Sequence, residues 1–170
     1  MLNIRKRTAV VTTFLILWGN CPPVMAEPVV VPEVIKVVSP LETFKDAKAL
    51  TSVELKDLLK AVGFEGKALK TAWAVAMKES NGRPVAYNGN RGTGDNSYGV
   101  FQINMIGSLG EARRDKFNLD SNADLFDPVT NAEIAFYMTN GGKDWSSWKV
   151  YQNQTNSERY ESYLKAFPKD

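Results

Sequence analysis

The stretch "ALKTAWAVAMKESNGRP", residues 68–84, leaves few folds open to this chain. Leu69, Ala72, Trp73, Ala76 and Met77 recur at spacings of three and four, which predicts a helix from about Lys67 to Ser80 with one buried stripe. Asn81, Gly82 and Pro84 then stop it. Glu79 lies three residues after Ala76 and seven after Ala72, so its carboxylate falls on the buried side or at its margin. Lost hydration and the partial negative charge of a helix C-terminus would both raise its proton affinity, as a general acid requires. The phase alone is also compatible with a solvated Glu at a fraying helix end.

Other segments carry helix signals of their own. Ser39, Pro40 and Glu42 predict a helix start in "SPLETFKDAKAL". Thr51 and Glu54 form a second capping box, Gly63 a stop, and Val53, Leu55, Leu58, Leu59 and Val62 a buried stripe. In "DPVTNAEIAFYMTNGG", Asp127 caps, Pro128 opens, Val129, Ala132, Phe136 and Met138 face inward, and Gly141 ends the run. "IGSLGEARRDKFN" reads as a short helix, and "WSSWKVY" and "SERYESYLKAF" as two closing helices, with Tyr160, Tyr163, Leu164 and Phe167 inward and Trp145 and Trp148 as core anchors.

The N-terminus reads as an export signal. Arg5, Lys6 and Arg7 precede an apolar run from Thr8 to Trp18, and Val24 and Ala26 mark a cleavage site after Ala26. The apolar run is little more than half the roughly 20 residues a membrane-spanning helix needs. Asn20 is a poor neighbour for a lipidated Cys21. Residues 27–38, "EPVVVPEVIKVV", read as an extended tether, and residues 39–170 as one domain.

Charge and composition exclude several function classes. The chain holds 21 basic and 19 acidic residues; the leader holds three of the basic ones, so 18 face 19 after cleavage. That balance lacks the net positive charge expected of a protein held by a phosphate backbone, so no nucleic-acid partner is expected. There is no His, and the single Cys lies in the leader. Nucleophilic sites of the Ser-His-Asp and Cys-His kinds, and the usual zinc ligand sets, are thereby absent. Acid-base chemistry falls to Asp, Glu, Lys or Tyr.

Residues 81–99 concentrate Gly and Asn, which predicts a long loop held by turn chemistry. It leads into "SYGVFQINM"; if this segment is extended, Tyr98, Val100, Gln102 and Asn104 share one face and Gly99, Phe101, Ile103 and Met105 the other.

"ESNGRPVAYN" followed by "SYGVFQIN" resembles the signature of the soluble lytic transglycosylase domain, in the goose-lysozyme-like superfamily. Glu79, Ser80, Pro84, Gly99 and Gln102 match in order, and "DPVTNAEIAFYM" resembles the family's later helix. The resemblance implies an α+β, mainly α-helical lysozyme-like fold, with a small β or irregular region lining a glycan cleft. It implies Glu79 as catalytic acid and Gln102 as a cleft residue. Asn88 takes the place of a substrate-contacting Ser, and Tyr151 in "VYQN" resembles the Tyr of an Ala-Tyr-Asn motif. Ser80, Tyr98 and Asn104 join the substrate-binding set; the insert "NGNRGTGDN" and the offset of Tyr137 depart from the family pattern, and Tyr137 receives no role.

The chemistry so implied needs no metal and no cofactor. Glu79 protonates the bond between N-acetylmuramic acid and N-acetylglucosamine in peptidoglycan, the muramic acetamido group stabilises the positive charge, and ionised Glu79 then draws a proton from the 6-hydroxyl to close an anhydro ring. A hydrolytic lysozyme with Asp95 or another Asp as second carboxylate, and a non-catalytic wall-binding or assembly protein, are the alternatives. Asp124 and Asp127 read as turn and cap residues. The expected setting is the periplasm or the cell exterior, as a monomer that does not span the membrane, alone or with a secretion, conjugation or pilus apparatus.

Overall fold

Thr51 accepts a hydrogen bond from the Glu54 amide at 3.2 Å, and Glu54 Oε2 accepts one from the Thr51 amide at 2.7 Å. This reciprocal cap starts helix α1, Ser52–Val62, and Gly63 ends it at φ 117°. Leu55, Leu58 and Leu59 on its inner face are fully buried. Each contributes about 1.5–3 kcal/mol of transfer free energy against about 1 kcal/mol for the cap, so packing holds the helix and the cap fixes where it begins.

The computed structural model describes residues 39–148 and 154–169. The expected leader, the tether and Tyr151 lie outside the described residues. Among the described residues the elements after α1 are α2 (Gly66–Ser80), β1 (Tyr87–Asn88), β2 (Ser97–Tyr98), β3 (Ile103–Asn104), α3 (Gly107–Phe117), α4 (Pro128–Met138) and α5 (Gln154–Ala166). Helix α2 packs against both α1 and α5, and α4 packs on α1. The three strands make one antiparallel sheet in the order β1-β2-β3, pairing Tyr87 with Tyr98 and Ser97 with Asn104. The fold is thus mainly helical with a small sheet, the α+β class that the sequence predicts. No helix among the described residues is long and apolar enough to cross a membrane.

The core runs from Trp73 on α2, whose Nε1 donates to the Ser52 carbonyl at 2.9 Å, to an aromatic group around Phe64, Phe101, Trp145 and Trp148. Ala72, Ala74, Val75 and Ala76 are all fully buried. Small residues there let the neighbouring helices approach α2 closely.

Four expectations change. "SPLETF" forms one 3-10 turn, Pro40–Thr43, because Asp46 takes a left-handed φ of 57° that no helix continues through. Val53 is 53% exposed, since it sits at the first turn of α1 beyond the reach of the core. "WSSW" is a turn, with Trp148 N donating to the Trp145 carbonyl. "SYGVFQINM" is a hairpin rather than one extended strand: β2 ends at Tyr98, and Gly99 at φ 74° and Gln102 at φ 49° turn the chain into β3.

That turn is buried, and side chains from four parts of the chain satisfy its backbone. Asn131 of α4, fully buried, accepts from the Phe101 amide at 2.8 Å and donates to the carbonyls of Tyr98 at 3.0 Å and Leu125 at 2.9 Å. Ser80 Oγ donates to the Val100 carbonyl at 2.7 Å, Trp148 Nε1 to the Phe101 carbonyl at 2.8 Å, and Gln102 Nε2 to the Gly99 carbonyl at 3.0 Å. No buried side-chain nitrogen or oxygen among the described residues lacks a partner. A Cβ on Gly99 would lie 2.2 Å from both Asn131 Nδ2 and the Leu125 carbonyl oxygen, so only glycine fits.

Two predictions follow from this packing. Asn131→Asp removes both donors and sets a carboxylate against two carbonyls; it should lower stability by about 3 kcal/mol or more, read as a shifted urea midpoint at constant slope. A loss below about 1 kcal/mol would show that the turn does not depend on this amide. For Glu54, the Thr51 amide and hydroxyl hold the carboxyl below its ordinary proton affinity. A lowered folded-state value gives stability that is present above the unfolded pKa and lost as pH falls through the folded one. The acid limb of stability against pH should therefore be shallower in Glu54→Gln than in the parent protein, and superimposable limbs would contradict this.

Candidate active site

Asn81 and Gly82 end α2 at positive φ, 57° and 71°, and their amides close back on the carbonyls of Met77 and Ala76. The carboxylate one residue before the last helical position is therefore carried on a stiff, capped end. Glu79 has a side chain 21% exposed, and its Oε1 accepts from Lys78 Nζ at 3.1 Å. Among the described residues that is its one polar partner, so Oε2 is left for an incoming group.

A cleft of about 510 Å³ opens over this carboxylate. Lys78 and Glu79 from α2 form one side, the sheet and its loops the other, with Arg113 of α3, Met138 at the end of α4, and Ser147 and Trp148 completing the wall. Gln102 enters it from the turn. Its Nε2 donates to the carbonyls of Ala86 at 3.1 Å and Gly99 at 3.0 Å, which leaves Oε1 as an acceptor with no partner among the described residues. Asn88 lines the cleft from β1, exposed, with Oδ1 accepting from the Asn90 amide at 3.2 Å. Asn104 lines it from β3 with both ends of its amide engaged: Oδ1 accepts from the amides of Asn96 and Ile106, and Nδ2 donates to the Gly94 carbonyl. Asp95 also lines the cleft, and its Oδ2 accepts from Thr93 Oγ1 at 2.7 Å.

Glu79, Asn88, Gln102 and Asn104 are thus brought to one cleft. Ser80 and Tyr98 are not among its lining residues. Ser80 is buried, with its hydroxyl shared between the carbonyls of Ala76 and Val100. The Tyr98 hydroxyl is tied to Asn96 Oδ1 at 3.1 Å, and its ring lies between those of Tyr87 and Phe126. Tyr137 is 60% exposed with its ring against Phe117, outside the cleft. Asp127 caps α4 through the Val129 amide at 2.8 Å, and Asp124 completes a capping box with Ser121, as their settings in the sequence suggest.

Sequence reasoning passes over Lys78 and Arg113. Lys78 is hidden by its place beside the more informative Glu79. A signal for Arg113 does exist: Gly110 inside a helix marks a close approach, here to the Met105 carbonyl, and Arg113 shares its face three residues on. No group of His, Cys, Asp or Glu among the described residues is arranged to hold a metal ion.

The profile of the lysozyme-like domain matches residues 56–150, a span that holds the end of α2, the whole sheet and the cleft. No curated protein matches the chain, and no solved structure does. With the match covering more than half of the 170 residues, the chain belongs to the lysozyme-like domain family, a family of glycan-cleaving enzymes, in keeping with its resemblance to the soluble lytic transglycosylase domain.

Proposed function

We propose that the protein is an exported lytic transglycosylase that cleaves the β-1,4 bond between N-acetylmuramic acid and N-acetylglucosamine in peptidoglycan and leaves a 1,6-anhydromuramoyl end. The observation that carries this reading is Glu79, a carboxylate at the capped end of a buried helix, facing a cleft walled by amide side chains. Hydroxyl- and acetamido-rich sugars match such a wall, since amides both donate and accept.

In this reading, Lys78 holds Oε1 and Oε2 carries the proton delivered to the glycosidic oxygen as its bond to the anomeric carbon breaks. The acetamido oxygen of the muramic residue attacks the same carbon and takes up the positive charge. Glu79, now ionised, removes the proton of the 6-hydroxyl, whose oxygen displaces the acetamido group and closes the anhydro ring. The proton given in the first step returns in the last, so no water is consumed. Gln102 Oε1 and Asn88 Nδ2, neither of which has a partner among the described residues, are the groups we assign to sugar contacts, with Asn104 shaping the wall and Tyr151 assigned from its motif. Ser80 and Tyr98 act as positioning residues beneath the site.

A hydrolytic reading has one specific support: Asp95 lines the same cleft. An inverting pair requires carboxyls roughly 6.5–9.5 Å apart with room for water between them. The Thr93 hydroxyl holding Oδ2 favours the single-carboxylate route, because it commits Asp95 to its own loop. We further assign residues 1–26 to an export signal, 27–38 to a tether and 39–170 to the catalytic domain, acting as a monomer in the periplasm or outside the cell. Such a layout suits wall turnover or local opening of the wall for a secretion, conjugation or pilus apparatus.

Mass spectrometry of peptidoglycan digested by the purified protein should give muropeptides one water lighter than hydrolytic ones. Glu79→Gln should remove at least about a hundredfold of that activity with folding intact. Full-mass products, or an active Glu79→Gln, would overturn the reading. Ser80→Ala breaks the bond to the Val100 carbonyl and loosens the helix end against the hairpin. It should lower kcat by about tenfold while KM changes little, and an unchanged kcat would remove Ser80 from the positioning role.

A further inference from the structure

Arg113 stands out among the charged groups of the cleft. Lys78 Nζ is engaged by Glu79 Oε1 at 3.1 Å, and Asp95 Oδ2 by the Thr93 hydroxyl. Arg113, half-buried, donates Nη1 to the backbone carbonyl of Asn104, and among the described residues it has no other acceptor and no ion-pair partner. A guanidinium carries five N–H donors in a rigid fork and stays charged at any working pH. One neutral carbonyl uses one of the five. Burial pulls its proton affinity below the ordinary value, which means the cation sits in the cleft wall without the compensation that an anion would give.

Helix α3 is pressed against the end of β3. Gly110 leaves no room for a Cβ against the Met105 carbonyl, and Arg113 follows it on the same face. The helix is therefore fixed against the strand end, and the Asn104 carbonyl holds the guanidinium at the cleft wall.

We propose that Arg113 is a carboxylate-binding site within the cleft, selecting glycan strands by an acidic substituent. The inference rests on the reading of the cleft as a peptidoglycan site. On such strands two sources offer the carboxylate: the lactyl group of a muramic residue stripped of its peptide, and the acidic side chains or terminus of an attached stem peptide. The fork of the guanidinium fits either one in a bidentate pair.

The test compares the parent protein with Arg113→Gln on three strand preparations. The first is stripped of stems so that lactyl carboxylates are free, the second bears stems, and the third is stripped and its lactyl carboxylates converted to neutral methylamides. The variant should lose about tenfold or more in kcat/KM on a carboxylate-bearing strand and little on the neutral one, as expected when a hydrogen bond to a charged group is removed. A loss confined to the first preparation assigns the lactyl carboxylate, a loss confined to the second assigns the stem, and a loss on both shows that either is read. An equal loss on all three would mean that Arg113 only braces Asn104, and would overturn the proposal. The parent protein supplies a control that needs no variant: it should prefer free lactyl strands, stem-bearing strands or both to the neutralised ones, and indifference among the three would also overturn it. If the parent protein cleaves none of the strands, the reading of the cleft itself fails instead.

Discussion

The structure depends on one buried polar contact set. Asn131, fully enclosed on α4, holds the amide of Phe101 and the carbonyls of Tyr98 and Leu125. A turn inside a core exposes backbone groups that water cannot reach, and each one left unmatched costs about 1–3 kcal/mol. Asn131, Ser80, Trp148 and Gln102 between them supply the missing partners. Helices that are distant in sequence are thereby tied to one hairpin, and the cleft between them acquires fixed walls.

This arrangement explains why a serine follows the candidate catalytic glutamate. Ser80 spans 20 residues of sequence to reach Val100, so the end of α2 and the turn of the hairpin move as one body. Glu79 sits beside that join. A general acid depends on its distance from the bond it protonates, and a buried serine tied to the hairpin can set that distance. Gln102 follows the same economy of parts: one face of its amide holds the turn, the other is open to the cleft.

Much of the helical frame was legible from local rules. The Thr51–Glu54 box and Gly63 bounded α1, and Asp127 with Pro128 opened α4, because caps are encoded within four residues. The stop after Ser80 was legible for the same reason. Long-range satisfaction was not: nothing local in the sequence marks Asn131, because its three partners lie on other segments. The alternation in "SYGVFQINM" suggested one strand, and only the packing of Asn131 against Gly99 reveals why the chain must turn there. Of the candidate site, Glu79, Asn88, Gln102 and Asn104 converge on the cleft, whereas Ser80 and Tyr98 are not among its lining residues. The cations Lys78 and Arg113 escaped notice because charge on a helix usually signals solvent.

The two routes differ in where the oxygen at the new glycan end comes from. In a single-carboxylate closure it is the sugar's own 6-hydroxyl; with Asp95 as a partner to Glu79 it is water. Digestion in water enriched in heavy oxygen, quenched early and read by mass spectrometry, separates the two directly. Single-carboxylate closure leaves products carrying no solvent oxygen at the cleaved muramic end, and stoichiometric incorporation of heavy oxygen there would contradict it.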